Sequence, residues 1–176
     1  MDCKYLDSGF RMTNRPVFSI RRTVFADAPR VHGCLAEAFE PYRTSYTPDG
    51  FQDTIPTPEL PHKRMQTMTV FVAEDRTGMI AGTLACGKVS EEEGHLRGMA
   101  VRSAWQGAGV AQALLERAES ELRAQGCSRV TLDTTLPLER AMRFYEKNGY
   151  QRSGRVADFF GMVLIEYEKK QLAISK

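Results

Sequence analysis

The sequence predicts a single α/β (α+β) domain, a mixed sheet of about six to seven strands with helices on both faces, and three observations carry that prediction. Apolar extended runs separated by polar turns fill 69–101 and form an antiparallel meander. The last of these runs, Leu96 to Val101, leads through Gln106-Gly107-Ala108-Gly109-Val110-Ala111 into an amphipathic run, Val110 to Leu122, and on to another extended run, Ser128 to Thr134. A strand, helix, strand passage of this kind makes a right-handed crossover and a parallel pair. At 176 residues and 42% hydrophobic, the chain is long enough for one continuous core and needs no second domain.

In chain order, Met1 to Arg15 is polar and reads as a flexible tail, with a domain over 16–170 and a short tail at 171–176. Val17 to Arg22 alternates as a first strand. Asp27 and Pro29 then open a helix whose Val31, Leu35, Ala38 and Phe39 share one face. From Pro41 to Pro61 five of the eight prolines crowd together around Tyr42, Tyr46 and Phe51, which predicts loop with one short helix. Those rings either wall a cleft or pin the loop to the core.

Thr69 to Ala73 and Met79 to Cys86 make a hairpin across Asp75-Arg76-Thr77-Gly78, and Ser90 to Gly94 turns the chain into His95 to Val101. After the glycine turn, Val110, Ala111, Leu114, Leu115, Ala118 and Leu122 recur at helical spacing until Gly126 ends the helix. Pro137 opens a further helix carrying Ala141, Phe144 and Tyr145 and closed at Asn148-Gly149; Tyr150 to Ser153 and Phe160 to Tyr167 read as a final antiparallel pair.

Composition removes several function classes. The 24 basic and 22 acidic residues are interspersed, giving +2 overall without the basic stripe of a nucleic-acid binder. Cys3, Cys34, Cys86 and Cys127 are far apart and the histidines unclustered, so no metal site is expected and the thiols read as reduced in a cytoplasmic protein. No apolar run is long enough to cross a bilayer.

The glycine turn is the candidate binding element. Gly107 and Gly109 let a ligand approach the backbone, and the helix behind them offers unpaired N–H groups and the positive end of its dipole, an arrangement suited to a diphosphate. A Rossmann fingerprint would need glycine where Gln112 stands, and a P-loop would need Lys-Ser or Lys-Thr after the glycines.

Gln106, Gly109 and Ala111 match the signature [Q/R]xxGx[G/A], and Ala141-Met142-Arg143-Phe144-Tyr145-Glu146-Lys147-Asn148-Gly149-Tyr150 matches a later A-x-x-[F/L]-Y-E-K-x-G-[F/Y] segment. In this order and separation they resemble the GNAT superfamily of acyl-CoA-dependent N-acyltransferases, over roughly Val17 to Lys169. The resemblance implies a central parallel pair splayed to admit acetyl-CoA, with the pyrophosphate of coenzyme A on the amides of Gln106, Gly107, Ala108, Gly109, Val110 and Ala111. It further implies that the Met99 to Val101 backbone, Ala100 included, pairs with the pantetheine arm, and that an N–H at or beside Met99 meets the oxyanion. Tyr145 matches the residue that gives a proton to the leaving thiolate.

The family often places a glutamate base where this chain has His95; His95, Glu93 or water remain the alternatives for the base. The family's asparagine three positions before Ala141 is Leu138 here, and Thr134 or Thr135 are candidates to supply hydroxyls instead. The implied activity is N-acetyl transfer to an amine of a small molecule or peptide end, with a non-catalytic acyl-CoA sensor as the alternative. Thr23 to Phe51 and the last strand pair are expected to wall the acceptor site, and relatives pairing through their last strands make a homodimer an expectation.

Overall fold

The computed structural model describes residues 17–55 and 57–170, so the expected tails at 1–15 and 171–176 lie outside the described residues. Seven strands form one sheet: β1 (Phe18–Arg22), β2 (Thr69–Asp75), β3 (Ile80–Lys88), β4 (Glu93–Val101), β5 (Arg129–Thr135), β6 (Gln151–Phe159) and β7 (Met162–Lys170). Their order is β1-β2-β3-β4-β5-β7-β6, antiparallel throughout except for the parallel pair β4 and β5. The helices are α1 (Ala28–Phe39), α2 (Pro48–Thr54), α3 (Glu59–Thr67), α4 (Val110–Ala124) and α5 (Glu139–Lys147).

Strand β2 reads as continuously apolar because both of its faces are covered. Phe71 and Ala73 join the core with Leu114, Leu115 and Leu122 of α4, whereas Val72 between them joins Val31 and Leu35 of α1. Helix α4 lies unusually close to the sheet. A Cβ at Gly82 would stand 2.7 Å from Val110 Cγ1, and one at Gly94 would stand 2.6 Å from Leu122 Cδ1. These two glycines therefore fix the height of α4 at its beginning and near its end. Gly126, at φ +86°, ends it, with its N–H on the Arg123 carbonyl and the Cys127 N–H on the Leu122 carbonyl, both at 3.0 Å.

Two irregularities open the centre of the sheet. The β4 to β5 ladder runs only from Glu93/Arg129 to Leu96/Leu132, and beyond it the strands are unpaired with each other. On the other side of β4, Arg97 opposes Ala85 and Ala100 opposes Thr83, so Gly98 and Met99 together face Leu84. This is a β-bulge, and Gly98 takes φ +68° within it.

The structure corrects several expectations. The proline-rich segment is largely helical, because Thr47 caps α2 by accepting the Gly50 N–H at 3.2 Å while prolines sit in first turns, where a missing N–H costs nothing. The last hairpin turns at Phe160-Gly161 (φ +51° and +81°) instead of over 154–159, since Gly154 (φ +91°) falls within a register shift inside β6 and does not end it. Helix α5 begins at Glu139, after Pro137.

Asp27 stands before α1 as expected but makes no side-chain cap. Fully buried, its carboxylate accepts from the Val24 N–H at 2.9 Å, from Arg21 at 2.7 and 3.0 Å, and from Arg30; Arg21 also donates to Glu74 of β2 at 2.7 Å. This cluster ties β1 and the start of α1 to β2.

The Arg21 hydrogen bonds outweigh the cost of burial and hold the Asp27 carboxyl down at about 2. A depressed carboxyl stabilises the fold fully above its unfolded value of about 4, and that contribution is lost as pH falls through the folded value. Urea midpoints of the wild type should fall from about pH 4 to pH 2, while Asp27→Asn should be less stable at pH 7 and flatter across that window. Gly94→Ala should lower stability by about 1–3 kcal/mol in the same measurement, through overpacking against Leu122.

Candidate active site

The turn before α4 presents backbone donors without acceptors. The Ala113 N–H makes the first bond of the helix, to the Gly109 carbonyl at 3.0 Å, and among the described residues no acceptor takes the N–H groups of Gly107, Gly109, Val110, Ala111 or Gln112. Gly107 (φ +80°) and Gly109 (φ +86°) are left-handed, and a Cβ on either would meet nothing within 4 Å. The glycines are thus required by backbone conformation, and the space above them is open.

These amides line a cleft of about 720 Å³, together with Met99, Ala100 and Val101 from β4 and Arg140 and Lys147 from α5. Arg140 hydrogen-bonds the Gln106 side-chain oxygen, which places a cation beside the turn. Donors, cations and an unpaired strand edge of this form fit a diphosphate on an extended arm. Of the residues predicted for that role, Gln106 and Ala108 stand apart: their N–H groups go to the Ser103 and Trp105 carbonyls at 3.2 and 3.3 Å. Trp105 lines the cleft and meets the Phe18 ring edge-on at 6.3 Å.

A second chamber of about 280 Å³ opens between the splayed strands. Leu35 and Phe39 of α1, Tyr46, Asp53 and Thr54 of α2, Arg64 of α3 and Phe159 and Leu164 of the last hairpin wall it, so the wall extends past Phe51, where it was expected to stop. Phe39, Met99, Leu138, Ala141 and Tyr145 line both spaces. The cleft and the chamber therefore meet at the bulge of β4 and the face of α5.

Tyr145 is buried at that junction between Phe144 and Tyr150, with ring centroids 5.5 and 5.8 Å away. Burial alone raises its phenol above the ordinary range, so it stays protonated at neutral pH. Leu138 sits where α5 begins and offers no polar group. The Thr135 hydroxyl is engaged by Tyr46 at 2.6 Å, whereas the buried Thr134 hydroxyl has no partner among the described residues.

His95 lines the chamber and stands in a hydrogen-bonded line that the sequence did not reveal. Arg129 and the Thr131 hydroxyl donate to Glu93 at 2.8 and 3.0 Å, and the Thr131 oxygen lies 2.9 Å from His95 Nδ1. With its proton committed to Glu93, Thr131 accepts from Nδ1–H, which leaves the Nε2 lone pair on the side of Asp133, 3.5 Å away. Glu93 is thus occupied and does not line the chamber, whereas His95 does.

Burial lowers the pKa of the His95 imidazole below 6.5, against the opposing pull of Asp133; burial also raises Asp133, which faces Glu166 directly across the β5 to β7 pair. Asp133 and the bulge at Gly98 were absent from the sequence reading. A glycine inside an apolar strand was the available signal for the bulge, but nothing in the spacing marked Asp133.

The described cysteines Cys34, Cys86 and Cys127 are free and buried, and burial pushes the thiols of Cys34 and Cys86 up to about 12, outside nucleophilic range. Among the described residues no group of three or more His, Cys, Asp or Glu is placed to hold a metal ion, and no helix is long and apolar enough to cross a membrane.

A model of the Acetyltransferase (GNAT) family matches residues 33–150. Among solved structures, the PaiA N-acetyltransferase of Thermoplasma acidophilum in complex with coenzyme A aligns with a TM-score of 0.72 at 17% identity, over 88% of this chain and 99% of that one. The yncA protein of Salmonella typhimurium with its cofactor acetyl-CoA aligns at 0.67 and 17%, over 91% and 97%. A GNAT-family acetyltransferase of Staphylococcus aureus aligns at 0.72 and 15%, over 89% and 100%. At these identities the likeness is one of fold.

The His95 imidazole, followed by NMR against pH, should titrate below 6.5. Removing the negative charge in Asp133→Asn should move that titration lower still, because Asp133 favours the imidazolium. A midpoint at or above 6.5, or an upward move in the variant, would contradict the assigned geometry.

Proposed function

The chain belongs to the GNAT acetyltransferase family, a family of acyltransferases, and from that premise we propose that it transfers an acetyl group from acetyl-CoA to a primary amine by direct attack within a ternary complex. The observation that carries this reading is the junction of cleft and chamber at Met99 and Tyr145. Donor and acceptor approach it from opposite sides, and holding both there supplies the proximity an amine needs to attack.

Acetyl-CoA supplies an activated thioester. The free amides of Gly107, Gly109, Val110 and Ala111 hold its diphosphate, with Arg140 alongside, and the unpaired edge of β4 from Met99 to Val101 bonds its arm as a missing strand would. In the bulge two residues face one, so an amide at Gly98 or Met99 lacks a ladder acceptor and is free to meet the oxyanion.

His95 Nε2 takes the proton of the incoming ammonium, directly or through water. Glu93 and Thr131 act as positioning residues that keep the Nδ1–H tautomer, and Asp133 stabilises the imidazolium that forms. As the nitrogen to carbon bond forms and the carbon to sulfur bond breaks, Tyr145 gives its phenolic proton to the departing thiolate, and the second proton of the attacking nitrogen, released as the amide forms, restores the phenol through water.

Tyr145→Phe should lower kcat by about 10² while leaving acetyl-CoA affinity within about two-fold, read as thiol release and by calorimetric titration. His95→Ala should lower kcat/KM at pH 7 by a similar factor and abolish the acid limb of the pH profile, which in the wild type lies below pH 6.5. Full turnover in either variant would remove that residue from the mechanism.

A further inference from the structure

The chamber has two poles. At one, on the parallel strands, stand His95 and Asp133; at the other, above the bulge, stands Arg64 of α3. The Arg64 guanidinium rests so near the Gly98 α-carbon that any Cβ there would collide with its Nη1. A basic residue in the last turn of α3 would ordinarily serve the helix dipole, yet this head group leaves the helix end and crosses to β4.

Half-buried there, Arg64 has no ion pair or side-chain hydrogen bond among the described residues. Its neighbour Arg97 meets Asp53 at 4.0 Å and Asp133 faces His95; Asp53 acts on Arg64 through its charge but makes no ion pair or hydrogen bond with it. Burial first, and the charge of Arg97 second, pull the Arg64 pKa down to about 10 against the smaller opposing pull of Asp53, the mark of a desolvated cation that is only partly compensated. An orphaned guanidinium in a cavity is completed by an anion, and its planar fork suits a carboxylate. The buried Thr134 hydroxyl in the lining of the same chamber also lacks a partner among the described residues.

Resting on the assignment of this chamber to the acceptor, we propose that the acceptor is a small amine that also carries a carboxylate, of the amino-acid type, with the carboxylate bound by Arg64 and the amine delivered to His95. At about 280 Å³ the chamber is below the roughly 300–1,000 Å³ of drug-sized sites, in keeping with an acceptor of that size. The carboxylate plays no part in bond making; it fixes which end of the acceptor reaches the thioester.

The test is amine-dependent thiol release from acetyl-CoA with common L-amino acids, their carboxamides, a linear polyamine and a tripeptide, on wild type, Arg64→Gln and Arg64→Lys. A charged hydrogen-bonded pair is worth roughly 1.5–3 kcal/mol, so the best amino acid should exceed its carboxamide in kcat/KM by at least about ten-fold. Arg64→Gln should bring that ratio near one while still binding acetyl-CoA in calorimetric titration, and Arg64→Lys should restore part of it.

Turnover that prefers the polyamine, or is equal for acid and amide, overturns this proposal while leaving acetyl transfer intact. So does an Arg64→Gln variant that keeps the wild-type ratio. Acetyl-CoA binding without thiol release for any amine overturns the acetyl-transfer reading, and this proposal with it.

Discussion

The site exists because one ladder stops. Strands β4 and β5 pair through Leu96/Leu132 and no further, so the backbone of β4 beyond Arg97 loses its partner on that side while staying tied to β3 on the other. Unpaired strand edges are costly when buried and attract another backbone-like partner. The bulge at Gly98 compounds the effect by twisting the strand locally and putting two residues opposite Leu84. Cleft and chamber are the two sides of that one opening, and the residues assigned to chemistry gather around it.

The rest of the fold keeps the opening in place. Gly82 and Gly94 let α4 sit directly on the sheet, which sets the height of its first turn and of the amides at Gly109 to Ala111. At the far end, the buried Glu119 carboxylate accepts from Tyr150 at 2.8 Å and from Lys169 of β7 at 2.9 Å, joining α4 to the segment that follows Tyr145. On the opposite face, the Asp27 cluster holds β1 and α1 to β2, and α1 carries Leu35 and Phe39 to the chamber wall. The glycine turn, Tyr145 and the chamber wall are thus positioned by separate anchors on a common sheet.

Local patterns made much of this legible. The glycine turn announced itself because two left-handed glycines ahead of an amphipathic helix have few other uses, and the meander followed from polar turns between β-branched runs. What stayed hidden depends on contacts between distant segments. Asp133 matters only because the parallel register sets it beside His95, and Thr131 only because it lies opposite His95 with its hydroxyl in reach of Glu93. Arg64 carries no local signal at all: its role depends on its side chain reaching Gly98 of a distant strand. The proline-rich segment misled for a simpler reason: its prolines were read as breakers, although Thr47 ahead of Pro48 is a helix start.

The central claim is that donor and acceptor meet across Met99 and Tyr145, with no acyl group passing through the protein. Initial rates of thiol release over a matrix of acetyl-CoA and amine concentrations test it directly. Direct attack in a ternary complex predicts double-reciprocal lines that intersect; parallel lines, the signature of a covalent acyl-protein intermediate, would contradict it.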